Sequence, residues 1–297
     1  MGRKDMAVFP IRLGVHVSIS GGMEKAIDRA RELGCSAMQV FSRNPRGWKT
    51  SPLSSRSIAA FQEAAEKWDI DPIVVHTPYL LNLASPEERL YQRSIRALIL
   101  DVQRADQLGA RYVVTHLGSA KEKSKAFGVE RVVEALKIVL RQPSAVSLLL
   151  ENSAGAGHSI GVGLEELKEI IERVGEDDGR LRVCLDSGHA YAAGYDFRTP
   201  PEARSLAEEI KRTIGWQRLS LLHLNDCSGE LGSHLDRHEH IGQGKIGLSG
   251  FHALLRCPSF QRVPMILETP KNNSKDDLEN LARIRQILKG KKSHWKN

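Results

Sequence analysis

Short apolar runs alternate along the whole chain with longer stretches in which apolar and polar residues repeat with helical spacing. The short runs are rich in β-branched residues and leucine, as in IVV (73–75), YVVT (112–115) and LSLLHL (219–224). Such nearly continuous apolar runs are typical of parallel strands that are covered by helices. We predict eight strands, each followed by helical structure: Ile11–Ser18, Ala37–Ser42, Pro72–Tyr79, Tyr112–Gly118, Ser147–Ser153, Leu181–His189, Leu219–Asp226 and Val263–Pro270.

Two helix starts carry clear sequence signals. Ser85-Pro86-Glu87-Glu88 and Thr199-Pro200-Pro201-Glu202 each combine a capping hydroxyl, a proline at the first helical position and a glutamate at the capping-box position. Eight strand–helix units in roughly 260 residues predict a single α/β domain, a closed (β/α)8 or TIM barrel spanning residues 1–288. A doubly wound nucleotide-binding sheet would have a glycine-rich phosphate-binding turn after its first strand. This sequence lacks such a turn, so we expect no nucleotide cofactor.

The amino-acid composition excludes several classes of protein. The chain has 297 residues, of which 41% are hydrophobic and 27% charged, and this is ordinary globular composition rather than that of a disordered or collagen-like chain. No run of 18 apolar residues and no signal peptide is present, so we expect a protein that is neither exported nor membrane-spanning. The four cysteines are far apart and form no CxxC, which predicts reduced thiols in a cytoplasmic protein.

The net charge of the chain is a weaker indication of its binding partner. Lys and Arg exceed Asp and Glu by 7, and this excess is compatible with a polyanionic partner. Residues 289–297 contain four lysines and no acid, and we expect them to form a mobile basic tail.

Nine histidine and acidic residues fall at the carboxyl ends of the predicted strands or in the long polar connection 225–248. They are His76, His116, Glu151, Asp186, His189, His223, Asp236, His238 and Glu268. In a barrel the carboxyl ends of all strands meet at one rim, so these side chains are expected to converge there.

A single histidine in an apolar strand is more often a hydrogen-bonded core residue, and a single buried acid is as often part of an ion pair. Nine such residues at one rim favour a metal centre, because four carboxylates buried together need nearby positive charge. Imidazole and carboxylate ligands without thiolate favour Zn²⁺ or Mn²⁺, and five histidines favour Zn²⁺. Ligand counting predicts three ions, whose net charge of about +2 over the carboxylates suits an anionic phosphodiester.

Several motifs together resemble the endonuclease IV family of apurinic/apyrimidinic (AP) endonucleases, in register over residues 11–285. The motifs are GVHVSISGG (14–22), FSRNPRGW (41–48), HTPYLLNLAS (76–85), THLGS (115–119), LLLENSAGAG (148–157), CLDSGHAYAAGYD (184–196), HLNDC (223–227), LGSHLDRHEHIGQGKIG (231–247) and ILETP (266–270). Two positions depart from the pattern: Gly47 stands where many relatives have glutamine, and Gly188 where cysteine is common.

The resemblance implies a DNA-repair hydrolase that cleaves the phosphodiester 5′ to an abasic site in double-stranded DNA, leaving a 3′-hydroxyl and a 5′-deoxyribose phosphate. It also implies 3′-end cleaning as a phosphatase or phosphodiesterase. We expect a monomer that acts in the cytoplasm, at the nucleoid of a prokaryote, with no membrane contact.

The same resemblance assigns the site residues. One zinc would be held by His76, His116 and Glu151; a second by Glu151, Asp186, His223 and Glu268; and a third by His189, Asp236 and His238. Mn²⁺ is an alternative at one position. Glu151 and Glu268 would be the catalytic carboxylates, and Arg46, Tyr79 and Leu80 would enter the duplex at the lesion.

Two other functions remain open from the residues. A sugar isomerase or epimerase of the xylose-isomerase-like barrels would need only Glu151, Asp186, His223 and Glu268, which leaves five candidate ligands without a role. A DNA-damage-binding protein without catalysis would need no intact ligand set.

Overall fold

The computed structural model describes residues 11–175 and 179–290, and ten strands occur within them. The strands are β1 (Leu13–His16), β2 (Ala37–Phe41), β3 (Ile73–His76), β4 (Tyr112–Thr115), β5 (Ser147–Glu151), β6 (Leu181–Asp186), β7 (Leu219–Leu224), β8 (Asp226–Cys227), β9 (His238–Glu239) and β10 (Met265–Leu267). Eight of them form a closed barrel in the order β1-β10-β7-β6-β5-β4-β3-β2, with every pair parallel. The predicted TIM-barrel fold is confirmed.

Helices follow the barrel strands. They are α1 (Met23–Glu32), α2 (Ser55–Lys67), α3 (Glu88–Leu108), α4 (Lys125–Leu140), α5 (Leu164–Val174), α6 (Ser187–Ala192), α7 (Pro200–Arg212), α8 (Gly247–Arg256) and α9 (Asp276–Leu288). The predicted capping box of α7 is present between Thr199 and Glu202. The start of α3 was predicted two residues too early, because the Ser85 hydroxyl accepts from the Glu87 amide in a turn before the helix begins at Glu88.

Seven strands each contribute one residue to an apolar group inside the barrel, separate from the larger core beneath the helices. Because side chains alternate along a strand, the residue two positions further faces the same interior, nearer the carboxyl mouth. The successive pairs are Ala37 and Gln39, Val74 and His76, Val114 and His116, Leu149 and Glu151, Cys184 and Asp186, Leu221 and His223, and Ile266 and Glu268. The strand period therefore brings polar side chains together on an apolar floor.

The sixth strand is shorter than predicted. It was expected to continue to His189, but it ends at Asp186, whose carboxylate accepts a hydrogen bond from the His189 amide at 2.8 Å. Asp186 thereby acts as the N-cap of α6. His189 consequently lies on a short helix directly above the barrel mouth.

The long connection after β7 is ordered around a buried carboxylate. Asp226 accepts backbone hydrogen bonds from Gly242 (2.8 Å), Gly244 (3.0 Å) and Ile246 (3.0 Å). Just before this turn, β9 pairs antiparallel with β8, which sets His238 opposite Cys227. The loop is thus fixed over the barrel mouth by its own backbone.

Among the described residues, no helix has the length and apolar character needed to cross a membrane. The last of them follow α9 as far as Gly290. Most of the predicted basic tail, residues 291–297, lies outside the described residues, and the domain boundary at residue 288 stays a prediction.

Candidate metal centre

Six of the nine candidate ligands lie where the strand map predicts them. His76, Glu151 and Asp186 are the last residues of their strands, His223 is the penultimate residue of β7, and His116 and Glu268 each follow their strand by one residue. Glu151, Asp186 and His223 are fully buried and His76 is 2% exposed. The barrel itself therefore fixes this part of the site.

The other three come from the elements above the mouth. His189 projects from α6, His238 lies on β9, and Asp236 precedes β9 in the long loop. The Asp236 Oδ1 atom lies 3.1 Å from His189 Nε2 and 3.7 Å from His238 Nε2. All nine predicted side chains thus belong to one continuous site.

Within the described residues, three sets of these side chains have ligand atoms within 4.8 Å of one another. We call them the outer group (His76, His116, Glu151), the central group (Glu151, Asp186, His223, Glu268) and the loop group (Asp186, His189, His238). Two carboxylates are shared, because Glu151 joins the outer and central groups and Asp186 joins the central and loop groups. Asp186 takes the place in the loop group that the resemblance gives to Asp236, which lies beside this group.

The spacing of donor atoms suits divalent cations. Tetrahedral ligands about 2.1 Å from a zinc ion lie roughly 3.4 Å from each other. The Glu151 Oε2 atom is 3.2 Å from His76 Nε2 and 3.4 Å from His116 Nε2. In the central group, His223 Nδ1 is 3.1 Å from Glu268 Oε2, and in the loop group His238 Nε2 is 3.4 Å from His189 Nε2. Imidazole and carboxylate donors at these separations fit zinc or a similar cation.

Backbone carbonyls set the orientation of three imidazoles. The Nδ1 atoms of His76, His189 and His238 lie 2.7, 3.0 and 3.2 Å from the carbonyl oxygens of Thr77, Asn152 and Glu268. Since a carbonyl can only accept, each Nδ1 carries a hydrogen and each Nε2 faces the ligand cluster, where it can bind a cation. Such contacts are the usual means of preparing histidine to bind metal.

The glutamates of the central group are held ionised. Burial raises the pKa of Glu151, but the charges of His116 and His223 outweigh it and hold this pKa well below its usual range. Burial likewise opposes ionisation of Glu268, and His223 together with a hydrogen bond from His16 keeps its pKa well below the usual value. Buried negative charges at neutral pH require positive partners, which is the environment a cation site offers.

Asparagine side chains that the strand map did not single out support the carboxylates. Asn225 donates to Asp186 Oδ2 at 2.5 Å and accepts from the Glu268 amide at 2.9 Å. Asn152 accepts from the Asp186 amide at 2.6 Å and donates back to the Asp186 carbonyl at 3.1 Å. Asn152 directly follows Glu151, and Asn225 lies two residues after His223. This closeness to candidate ligands in the sequence was the signal that could have identified both asparagines.

The candidate metal centre lies at the bottom of an open cleft of about 830 Å³, lined by His76, His116, His189 and Glu268 and bordered by Arg46 and Tyr79. Arg46 is exposed, the Tyr79 ring is 68% exposed, and Leu80 is half-buried. The Tyr79 ring rests edge-on against Phe41 with centroids 5.3 Å apart. The three side chains predicted to enter a duplex therefore lie at the rim, above the ligands.

The loop that carries Arg46 is anchored by a buried ion pair. Arg43 forms a bidentate pair with Asp101 of α3, with both N–H to O distances 2.9 Å, and it also donates to the Gly47 carbonyl at 3.1 Å. Arg104 donates to the carbonyls of Ser42 (2.6 Å) and Ser51 (2.9 Å) on either side of the loop. Sequence reasoning did not find this anchor, because Arg43 and Asp101 are 58 residues apart.

Residues 27–289 match the model of the xylose isomerase-like TIM barrel family. A relative from Methanoculleus marisnigri described as probable endonuclease 4 is 43% identical over 279 residues, which cover 93% of this chain and 99% of the relative. The chain belongs to the endonuclease IV family. The crystal structure of endonuclease IV from Thermus thermophilus superposes with a TM-score of 0.83 at 37% identity, covering 94% of this chain and 99% of that one.

A D-tagatose 3-epimerase-like protein shares the fold with a TM-score of 0.74 over 94% of this chain and 97% of its own. At 22% identity this likeness concerns the barrel alone. The resemblance to endonuclease IV seen in the motifs is confirmed by the comparisons.

The two departures from the endonuclease IV pattern have different surroundings. A Cβ atom at Gly188 would lie 3.2 Å from Asp186 Oδ1 and 3.4 Å from the Asn225 carbonyl, so that position is crowded. A Cβ atom at Gly47 would meet nothing nearer than Asn44 Nδ2 at 3.7 Å. Neither glycine supplies or removes a candidate ligand.

Proposed function

We propose that this member of the endonuclease IV family is a zinc-dependent AP endonuclease that hydrolyses the phosphodiester 5′ to an abasic site in double-stranded DNA. Family membership makes the chain a nuclease, a hydrolase of phosphodiester bonds. The observation that supports the finer proposal best is the convergence of nine imidazole and carboxylate side chains at the bottom of an open cleft. The products would be a 3′-hydroxyl and a 5′-deoxyribose phosphate.

Three zinc ions per chain would be held by the outer, central and loop groups, with Asp236 as a further ligand beside the loop group and Mn²⁺ as an alternative at one position. When bound, such ions supply Lewis-acid stabilisation of the negative charge that develops at a phosphate during hydrolysis. The shared carboxylates of Glu151 and Asp186 would keep the three positions close enough to act on one phosphate.

Two carboxylates of the central group have different access to substrate. Glu151 is fully buried and bridges two groups, so we assign it to holding the centre together. The Glu268 side chain is 16% exposed and lines the cleft. We therefore assign Glu268 the role of orienting the attacking water molecule, from which its carboxylate would accept a hydrogen bond.

The rim residues are suited to recognise the lesion. Tyr79 and Leu80 present an aromatic and an apolar side chain that can fill the stack at an abasic site, and Arg46 offers a cation to a neighbouring phosphate. An abasic nucleotide has already lost its stacking, so turning it into the cleft costs less than turning out an intact one. The net charge of +7 favours association with DNA and predicts salt-dependent binding.

The same centre would act on a phosphate ester at a 3′ end, so we also propose 3′-phosphatase and 3′-phosphodiesterase activities.

We propose that the enzyme works as a monomer on chromosomal DNA in the cytoplasm. The sugar isomerase or epimerase alternative would use the central group and leave the outer and loop groups without a role.

The test is incubation with a duplex that contains one tetrahydrofuran abasic analogue, with and without a strong chelator. This sugar lacks the aldehyde that a lyase needs, so only hydrolysis can cut it. We expect a single incision 5′ to the analogue with a 3′-hydroxyl end, its loss with chelator and its return with added Zn²⁺. Cleavage that persists after complete metal removal, or ketose epimerisation without any incision, would contradict the proposal.

A further inference from the structure

Strand β2 places a polar side chain in the barrel interior that the metal groups do not use. Six strands place a candidate ligand two residues beyond their inner apolar residue, and on β2 the equivalent residue is Gln39, which follows Ala37. Gln39 is fully buried. A fully buried amide requires hydrogen-bond partners, and those of Gln39 identify its role.

Both ends of the Gln39 amide meet members of the central group. The Gln39 Nε2 atom lies 2.5 Å from Glu268 Oε1, and Gln39 Oε1 lies 2.9 Å from His223 Nε2. The Nε2 atom is also 2.9 Å from His16 Nδ1, and the same His16 nitrogen is 3.3 Å from Glu268 Oε1. Gln39 therefore connects a histidine and a carboxylate that come from different strands, 184 and 229 residues away in sequence.

The chemistry of Glu268 and His223 settles the direction of the two bonds that Gln39 makes with them. An ionised carboxylate only accepts hydrogen bonds, so the amide NH₂ of Gln39 must face Glu268 and its carbonyl oxygen must face His223. His223 Nε2 must then carry a hydrogen and donate it to that oxygen. The Nδ1 atom of His223 is then the ring nitrogen that faces the carboxylates, 2.9 Å from Glu151 Oε1 and 3.1 Å from Glu268 Oε2, and it is the atom that can bind a cation there.

We propose that Gln39 is the positioning residue of the central group, fixing the tautomer of His223 and the side-chain orientation of Glu268 before a cation binds. The Nδ1 atoms of His76, His189 and His238 face backbone carbonyls, whereas the orienting partner of His223 is a side chain that a single substitution removes. This inference rests on the metal centre of the proposed function, and it concerns the central group alone.

Loss of the Gln39 amide should weaken the binding of one metal ion. Without it, the buried His223 N–H and the Glu268 oxygen lose their common partner, and the His223 ring is free to turn or to change tautomer. Removal of such an outer partner of a metal ligand typically weakens metal binding by about 10–100-fold. We expect that loss at one ion per chain, with the other ions bound as in the unmodified protein.

The first experiment compares Gln39→Met with the unmodified protein in a Zn²⁺ titration against a chelating indicator, with total metal content measured in parallel. Methionine nearly matches glutamine in volume and removes both hydrogen bonds, whereas Gln92→Met makes the same change on the exposed face of α3 and serves as the control. Thermal unfolding verifies that each variant is folded. We expect one weakened site in Gln39→Met and three unchanged sites in Gln92→Met.

A second measurement needs no variant. Long-range ¹H–¹⁵N correlation of the zinc-loaded unmodified protein reports which imidazole nitrogen of His223 is protonated, and we expect Nε2–H. Nδ1–H at His223, or Gln39→Met with three unweakened sites, would overturn the role of Gln39 while leaving the AP endonuclease proposal intact. Absence of bound metal in the unmodified protein would instead contradict the metal centre and, with it, this inference.

Discussion

The bottom of the cleft and its rim are built from different kinds of contact. The ligands at the bottom that end the barrel strands, such as His76, Glu151, Asp186 and His223, are buried and have fixed polar partners, for example Asn225 for Asp186 and the Thr77 carbonyl for His76. At the rim, Tyr79 is 68% exposed and packs edge-on against Phe41. Residues at the bottom are thus arranged before any substrate arrives, whereas residues at the rim gain most of their contacts only when DNA binds.

This difference indicates that the bottom of the cleft serves catalysis and the rim serves recognition of the DNA. Arrangement before binding serves chemistry, because catalytic electrostatics depends on groups that need not reorganise during the reaction. Exposed apolar side chains serve recognition, because they bury surface only against a distorted duplex. Substitutions in the two regions should therefore change different measured quantities.

The largest expected effect comes from the bottom of the cleft. Glu151→Gln keeps the volume of the side chain but removes a charge shared by the outer and central groups, so we expect turnover on abasic DNA to fall at least about a thousandfold. Zinc content should fall as well, while duplex binding by the rim persists. Glu172→Gln on the exposed face of α5 is the matched control and should retain full turnover. Normal turnover of Glu151→Gln would contradict the metal assignment.

Next in size is the anchor of the rim loop. Asp101→Asn leaves the buried Arg43 without its bidentate partner, and breaking a buried pair in this way typically costs about 3–5 kcal/mol in the free energy of unfolding. Asp71→Asn breaks an exposed pair with Arg111 and should cost about 1 kcal/mol or less. Urea unfolding of both variants measures the difference, and equal losses would mean that the anchor is not the stabilising feature we describe.

A smaller effect is expected from the exposed aromatic at the rim. Tyr79→Ala should weaken binding to a duplex with an abasic site by roughly 1–3 kcal/mol, the usual contribution of one stacking side chain. Zinc content should stay the same, and Tyr79→Phe, which keeps the ring, should bind nearly normally. If Tyr79→Ala instead lost zinc, the separation between rim and bottom would be wrong.

The smallest effect is expected from removal of residues 291–297. The deletion removes three lysines, so binding at low salt should weaken about threefold and the difference should vanish at higher salt. Turnover at saturating substrate should be unchanged. A large loss of turnover would refute the prediction that this segment is peripheral.

The barrel and most of the ligands could be predicted from local sequence. Histidine and acidic residues are rare in apolar strands, so His76, Glu151 and His223 stand out, and the barrel geometry requires the ends of their strands to meet. The position of His189 was not predicted correctly, because the capping of α6 by Asp186 ends the strand three residues earlier than the apolar pattern suggests.

Gln39 and the anchor of the rim loop could not be found in this way. A single glutamine in the run AMQVF has no metal-binding chemistry of its own, and its partners are 184 and 229 residues away. The position two residues beyond Ala37 was the available signal, since the same spacing marks ligands on six other strands. Contacts between distant segments depend on the closed barrel, so they become visible only after the strands are paired in register.

The most direct test of the central claim is diffraction from crystals of the purified protein at wavelengths on either side of the zinc absorption edge. The account predicts three anomalous peaks at the bottom of the cleft, each about 2.0–2.2 Å from imidazole nitrogens or carboxylate oxygens of the outer, central or loop group. The absence of any peak among these nine side chains, or metal bound only elsewhere on the surface, would contradict it.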